Sequence, residues 1–345
     1  MKKVGVSGHF GIGLNMLNGQ TIKTKIVTNE LKHQLGDNQV AIVDTHGGVK
    51  SMPRMFIQSW KLFRDCENIV MFPAYKGLQI FTPLYSFYNL FFHRKLQYVV
   101  IGGWLDTFID KHSWLTGMLK KYDGIFVETT TMKCALEKKG FDNIVVMPNF
   151  KNISILESEE LNYEVKQPYK LCTFSRVMKE KGIEDAVETI KRINKKSGHT
   201  VFCLDIYGQV DSKYEDVFVE LQKNFPDYIH YKGIIEYDKS VETLKNYFAL
   251  LFPTHFFTEG IPGTVIDAYA AGIPIIASKW ESFSDIINDN VTGIGYSFMD
   301  NEELENILLY IKDHPEMILE MKKNCLIEAE KYIPNIAIKT ILTTL

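Results

Sequence analysis

This sequence predicts an α/β protein made of two doubly wound halves. Short apolar, strand-like runs alternate with helix-like stretches along the chain, the alternation lapses once near the middle, and 345 residues exceed what one hydrophobic core usually serves. The lapse lies between Pro148 and Pro168, where Lys151-Asn-Ile-Ser154 and Glu157-Ser-Glu-Glu160 carry no long apolar period and read as a linker. The expected domains are 1–155 and 165–331.

In the first half, Val4–Gly8 reads as a buried strand followed by the glycine-rich turn His9-Phe-Gly-Ile-Gly13 and a helix from about Gln20. Gln39–Asp44, Asn68–Phe72, Leu96–Ile101, Gly124–Glu128 and Asn143–Met147 are the next five strands, with helical segments between them. Near-continuous apolar strands separated by helices imply a parallel sheet covered on both faces. In the second half Tyr169–Phe174, Thr200–Tyr207, Tyr228–Tyr231, Ala249–Phe252 and Ile273–Ala277 are strands, and Ile183–Lys195 and Lys239–Asn246 are helices. Helices over Asn301–Lys312, Pro315–Lys331 and Asn335–Leu345 end the chain. No solenoid repeat or low-complexity tract is present.

Composition narrows the function classes. Hydrophobic content of 46% and charged content of 23% are those of an ordinary globular protein, and a net charge of −3 supplies no global field to attract nucleic acid. The five cysteines form no Cys-x-x-Cys pair and the nine histidines no metal-ligand spacing, which fits a reducing cytoplasm and no zinc site. The first apolar stretch is broken by Gly5, Gly8 and His9, too soon for a secretory signal, and no eighteen-residue apolar run exists.

The stretch Thr258-Glu-Gly-Ile-Pro-Gly-Thr-Val-Ile-Asp267 to Ser278 places two carboxylates eight positions apart around a Gly/Pro loop, a short helix and an apolar strand. Glycines let backbone N–H groups approach a ligand closely, and the first N–H groups of a helix favour an anion such as a pyrophosphate. Carboxylate oxygens accept well from sugar hydroxyls, so the arrangement suits a nucleotide-sugar. Apolar pattern alone is equally met by a β-loop-helix-β unit with Asp267 as a solvated helix residue. The segment resembles the donor motif of the retaining glycosyltransferases of family 4, of the bacterial polysaccharide-assembly type and GT-B fold, in which two glutamates flank seven residues. Here Asp267 takes the second position, and the loop reads Glu-Gly-Ile-Pro-Gly rather than Glu-Gly-Phe-Gly-x-Pro. Phe174-Ser-Arg176-Val-Met-Lys-Glu-Lys181-Gly182 resembles a second motif of that family, Gly-Arg-x4-Lys-Gly, with Ser175 where glycine is usual.

The resemblance implies two Rossmann-like domains facing a central cleft, with a last helix, about 332–345, crossing back onto the first. It implies transfer of a sugar from a nucleoside diphosphate, uridine by family habit, to a glycan or lipid-linked acceptor in cell-surface polysaccharide or glycoconjugate synthesis. Catalytic roles fall to Glu259, on the hydroxyls of a transferred hexose, and to Arg176 and Lys181, on the diphosphate. Asp267 is assigned to the ribose, Gly260, Ile261, Pro262, Gly263 and Thr264 to the sugar and phosphate, and Gly233 and Ile234 to the base. Gly11 and Gly13 match the loop that lies over the phosphates in that family. The chain lacks an Asp-x-Asp sequence, and the cations and the helix start stand where a metal acts elsewhere, so no metal or other cofactor is expected.

On the acceptor side, relatives carry a histidine after the fourth strand where this chain has Val100-Ile-Gly-Gly-Trp-Leu-Asp106. Asp106, Trp104 and His9 are the candidates near that position, Trp104 being equally suited to filling a gap in the core. Asn18–Thr24 resembles a stretch of polysaccharide-assembly members, with Lys23 either approaching phosphate or acceptor or facing solvent. Leu78–Phe92 is unusually aromatic and is read either as a helix in the interface of the inner membrane face or as one packed beneath the sheet. Besides the enzyme, a non-catalytic glycan-binding or partner-stabilising subunit of the same fold remains open, as does, more weakly, a phosphorylase or epimerase.

Overall fold

The structure, a computed structural model, describes residues 1–13, 19–48 and 51–345. Asn18 of the stretch singled out above lies outside them. Two compact units are present, Met1–Asn152 with Tyr332–Leu345, and Ile153–Lys331.

The first unit runs β1 (Lys2–Gly8), α1 (Gly19–Leu35), β2 (Val40–Asp44), α2 (Met52–Asp65), β3 (Cys66–Met71), α3 (Tyr75–Phe92), β4 (Lys95–Val99), α4 (Leu105–Lys111), α5 (Thr116–Leu119), β5 (Gly124–Val127), α6 (Thr130–Lys138) and β6 (Ile144–Val146). Its strands form one parallel sheet in the order β2-β1-β3-β4-β5-β6. The order reverses between β1 and β3, and in such sheets ligands bind beyond the carboxyl ends of the strands at that reversal.

The second unit runs β7 (Tyr169–Phe174), α7 (Ile183–Ser197), β8 (Phe202–Tyr207), α8 (Glu215–Lys223), β9 (Ile229–Gly233), α9 (Ser240–Leu244), β10 (Ala249–Phe252), α10 (Gly263–Ala270), β11 (Ile275–Ser278), β12 (Gly293–Tyr296), α11 (Asn301–Asp313) and α12 (Glu316–Ala329). Its sheet is also parallel, in the order β12-β11-β10-β7-β8-β9, with the reversal between β7 and β10. The chain then returns to the first unit as α13 (Pro334–Leu342), which buries Ala337, Ile338 and Ile341 among Val4, Val27 and Leu31.

Local rules explain these elements. In α7 the buried Ile183, Ala186, Val187, Ile190 and Ile193 recur at three- and four-residue spacing, one face of a helix, and Gly198 ends it in the left-handed region at φ 72°. Asp300 caps α11 by accepting from the N–H groups of Glu302 and Glu303, and Thr129 caps α6 by accepting from Met132. β12 is absent from the sequence-based expectation because two of its four residues are glycine. A Cβ at Gly293 would stand 2.3 Å from the Ile275 carbonyl oxygen of β11, so the close pairing itself requires a residue without a side chain.

The aromatic helix α3 packs one face into the core and leaves the other exposed. Leu78, Phe81, Tyr85 and Tyr88 are buried in the core, while Phe87, Leu90 and Phe91 are exposed, as are Ile57 and Trp60 of α2. Trp60 and Phe87 both lie against Phe91, making one apolar face. Among the described residues no helix is long and apolar enough to cross a membrane.

Candidate functional site

The reversal of the second sheet brings the two sequence motifs together. β7 delivers Ser175 and Arg176 from its carboxyl end, and β10, its neighbour, delivers Pro253 to Glu259. The turn after Arg176 closes on Gly182, at φ 64°, where an added Cβ would fall 1.9 Å from the Pro253 carbonyl oxygen. Only glycine permits that approach. His255 N–H then donates to the Glu180 carbonyl at 2.8 Å, and the His255 ring meets Asp185 Oδ2 at 2.6 Å, fastening the two loops to each other.

Lys181 and Glu259 meet at the centre of this arrangement, Nζ donating to Oε2 at 2.6 Å. The ammonium also stands 5.3 Å and 5.1 Å from the ring centres of Phe252 and Phe256, and Thr254 Oγ1 donates to the same carboxylate oxygen at 3.3 Å. The carboxylate is thereby fixed by a charge and a hydroxyl, and the lysine is held over aromatic faces that favour a cation.

Arg176 is placed differently. Its side chain is exposed and its Nε lies 3.4 Å from Asp211 Oδ2, on the β8 side of the reversal. Helix α10 opens at Gly263 after Pro262, and Thr264 Oγ1 donates to the Phe174 carbonyl oxygen, tying the helix start to the end of β7. Gly260, Ile261 and Pro262 are buried beneath that start, while Gly263 and Thr264 are half-buried. Glu259, Arg176, Lys181 and the amino end of α10 thus share the carboxyl edge of β7 and β10.

Asp267 is not the solvated helix residue that its polarity allows. It is buried and accepts from Ser240 Oγ of α9 at 2.9 Å. A ribose hydroxyl would have to reach a carboxylate already engaged by Ser240. Gly233 ends β9 at φ 77° and its carbonyl accepts from Gly208 N–H at 2.8 Å, leaving the next residue, Ile234, exposed. Sequence reasoning missed Ser240, Thr254, Asp211 and Gly208. Gly208, whose Cβ would stand 1.8 Å from the Ser175 carbonyl oxygen, is the one a strand-end glycine could have signalled.

In the first unit, Gly11 and Gly13 do adopt positive φ, 57° and 84°, and the N–H groups of Phe10, Gly11 and Ile12 already point at a protein carboxylate. Asp44 at the end of β2 accepts from Phe10 and Ile12 at 2.9 and 3.0 Å, from Gly11 at 3.4 Å, and from His46 N–H at 2.9 Å. Burial alone would raise this carboxyl, and the four backbone donors outweigh it and hold the group below its ordinary value.

The acceptor-side candidates separate. Lys23 does not face solvent: it is buried and paired with the equally buried Glu128 at 2.8 Å, with its ammonium 5.8 Å from the Phe150 ring centre. Trp104 fills the core, stacked on Tyr75 at 4.3 Å with its indole N–H on the Ile101 carbonyl. Asp106 is buried, with Oδ1 lacking a hydrogen-bond partner. His9 is half-buried at the carboxyl end of β1 and contacts His46, a residue the sequence reading did not single out.

Known proteins bear on this geometry. Residues 157–327 match the family model for glycosyl transferases group 1. The alpha-monoglucosyldiacylglycerol synthase of Acholeplasma laidlawii is 29% identical over 167 residues, covering 48% of this chain and 40% of that protein. The amylovoran biosynthesis glycosyltransferase AmsK of Erwinia amylovora is 23% identical over 186 residues, covering 52% and 43%. The chain thus spans less than half the length of these relatives. The crystal structure of Anabaena Alr3699/HepE in complex with UDP superposes with a TM-score of 0.76 at 12% identity, over 100% of this chain and 99% of that one. Residues 157–327 therefore resemble the glycosyl transferases group 1 family, within a chain of GT-B fold.

Proposed function

We propose that this protein is a hexosyltransferase-type glycosyltransferase. It moves a sugar from a uridine diphosphate sugar to a hydroxyl of a glycan or lipid-linked acceptor, with retained anomeric configuration and without a metal ion. The observation that carries this reading is the Lys181–Glu259 contact at the β7/β10 reversal, beside the amino end of α10. The difficult moment of such a reaction is the departure of a diphosphate from an oxocarbenium-like centre. Each well-placed electrostatic donor at the leaving oxygens is worth about 3 to 4 kcal/mol. In this reading Lys181 exchanges the Glu259 carboxylate for a phosphate oxygen when donor binds, and Glu259 is released to accept from the sugar hydroxyls. Arg176 meets the outer phosphate as a planar fork. The base lies along Lys232 to Ile235, and Asp267 orders the ribose side through Ser240. A GT-B neighbour crystallised with UDP, and relatives named for a glucosyldiacylglycerol product and for amylovoran synthesis, support the choice of donor and acceptor classes.

The outward face of α2 and α3 fits the same reading as a contact with an anionic lipid surface. Ile57, Trp60, Phe87, Leu90 and Phe91 supply the apolar area, and the exposed Arg54, Lys61 and Lys76 the positive charge, Arg64 being paired with Asp65.

Calorimetric titration of the full chain with UDP and UDP-glucose tests the donor site. Binding weakened at least tenfold by Lys181→Met and by Arg176→Ala is expected. No binding of UDP, UDP-glucose or other nucleoside diphosphate sugars overturns the reading. UDP release that EDTA abolishes would refute its metal-free form.

A further inference from the structure

Lys322 of α12 is 2% exposed, and among the described residues its ammonium has one hydrogen-bond partner, the Tyr247 carbonyl oxygen at 3.4 Å. An ammonium carries three donors, so two are left over. No carboxylate among the described residues pairs with it, whereas the buried Lys23 has Glu128. Burial holds the Lys322 ammonium down to about 8 against an ordinary 10.5, so the group is still charged at neutral pH. Its neighbour Cys325 is kept protonated by its own burial and supplies no opposite charge. A buried charge without an opposite charge is costly, and folded proteins as a rule pair it.

Lys322 and Tyr247 both line a cavity of about 550 Å³ at the amino ends of β7 and β10. Tyr169, the first residue of β7, stacks on Phe248, the residue before β10, with ring centres 4.5 Å apart, and both rings belong to the same lining. Lys166 and Lys170 line it as exposed residues without an ion pair among the described residues, and Glu164 is the one acidic residue of the lining. Three lysines against one glutamate leave two positive charges unmatched. A phosphate monoester carries a charge of about −1.5 to −2 at pH 7 and three strong acceptor oxygens, which answers both the excess charge and the spare ammonium donors. The side-chain amides of Asn162 and Asn246 add donors and acceptors suited to hydroxyl groups, and the volume is that of a small-molecule site.

We propose that this cavity binds a small phosphate monoester bearing hydroxyl groups, with Lys322 as its buried counter-charge. The site is separate from the donor site and does not rest on the sugar-transfer reading. β7 is six residues long, roughly 20 Å, and Arg176 and Lys181 follow its other end.

The test measures thermal unfolding and calorimetric binding of the full chain with glucose 6-phosphate, beside glucose and inorganic phosphate. Glucose 6-phosphate should raise the unfolding midpoint, because a ligand held only by the folded state stabilises it. Inorganic phosphate should do so more weakly and glucose not at all. Lys322→Met removes the charge at similar length and should weaken glucose 6-phosphate binding about tenfold or more, leaving UDP binding unchanged. Lys166→Gln/Lys170→Gln changes only exposed side chains and should weaken it several-fold without moving the unliganded midpoint. In the wild type, the Lys322 ammonium resonance, identified by its absence from Lys322→Met, should shift as glucose 6-phosphate is added. Should Lys322→Met fail to fold, that resonance and the Lys166/Lys170 variant decide. Absence of glucose 6-phosphate binding, or binding that none of these substitutions weakens, overturns the proposal. Binding that is lost in Lys181→Met and kept in Lys322→Met overturns it too, by placing the phosphate at the donor edge. Failure of the wild type to bind UDP removes the donor reading alone.

Discussion

Lys181 Nζ and Glu259 Oε2 are 2.6 Å apart although 78 positions separate the residues in the chain. Each side chain is less than one-fifth exposed, at 13% and 19%, so the contact is shielded from solvent and salt. Neither loop would need this geometry for the sheet to form, because the strands are paired by their backbones. In the proposed reading, a phosphate and a sugar hydroxyl compete for this cation and this carboxylate.

Breaking the pair from either side should therefore separate binding from folding. Lys181→Met leaves a carboxylate without its charge partner, and Glu259→Gln leaves the ammonium so. The double variant removes both, and a double-mutant cycle in urea unfolding should return a coupling of about 1 to 3 kcal/mol. Glu259→Gln should reduce turnover of the donor about 100-fold or more, with an unfolding midpoint close to that of the double variant. A cycle with no coupling would mean that the contact is incidental.

Gly182→Ala tests the loop that presents Lys181. The new Cβ meets the Pro253 carbonyl oxygen at 1.9 Å, a backbone atom that cannot swing aside, and the residue sits at φ 64°, where side chains are strained. Strain and collision together should cost more than about 2 kcal/mol, read as a lower urea midpoint and as weaker UDP binding. Gly198→Ala, with a similar φ of 72° but nothing within 4 Å, should cost only about 1 kcal/mol, the conformational part alone.

How far the sequence revealed these features follows from the range of the interactions. Alternation of apolar strands and helices is local, so both sheets were legible, apart from β12, whose glycines dilute the apolar signal. The two motifs themselves could be seen in the sequence because each is contiguous. Their meeting could not, since Lys181 and Glu259 are joined only by the pairing of β7 with β10. The same reason hid the partner of Lys23, which is 105 positions away, and made a buried ion look like an ordinary surface lysine. His46 went unnoticed because nothing in Asp44-Thr-His-Gly marks it until β2 is laid beside β1.

Lys23 and Glu128 give the sharpest structural contrast. Both side chains are 3% exposed, so removing one partner leaves the other buried charge without its opposite charge. Glu128→Gln should destabilise the protein by about 3 to 5 kcal/mol, whereas replacing both residues with apolar groups of similar size should be close to neutral. Denaturant unfolding of Glu128→Gln beside Lys23→Met/Glu128→Leu decides between this structural role and a direct role toward phosphate or acceptor. A stable Glu128→Gln with impaired turnover would restore Lys23 to the acceptor side.

Asp44 should make the first unit sensitive to acid. Its carboxyl lies below the ordinary value of 3.8 because four backbone N–H groups favour the charged form more strongly than burial disfavours it. The folded state therefore holds its proton less tightly than the unfolded chain does. The stability it contributes is fully present above pH 3.8 and disappears as pH falls through the lower, folded value. Asp44→Asn keeps the shape of the side chain but supplies one carbonyl oxygen in place of two charged ones. Its unfolding midpoint should lie below that of the wild type at pH 7, and the gap should close as the pH is lowered beneath 3.8. Because the same carboxylate fixes Phe10, Ile12 and the backbone of His46, the variant should also loosen the His9–His46 contact, seen as weaker proximity between the two rings by NMR. A gap that stays constant with pH would show that the loop is held by its own turn geometry and not by the charge.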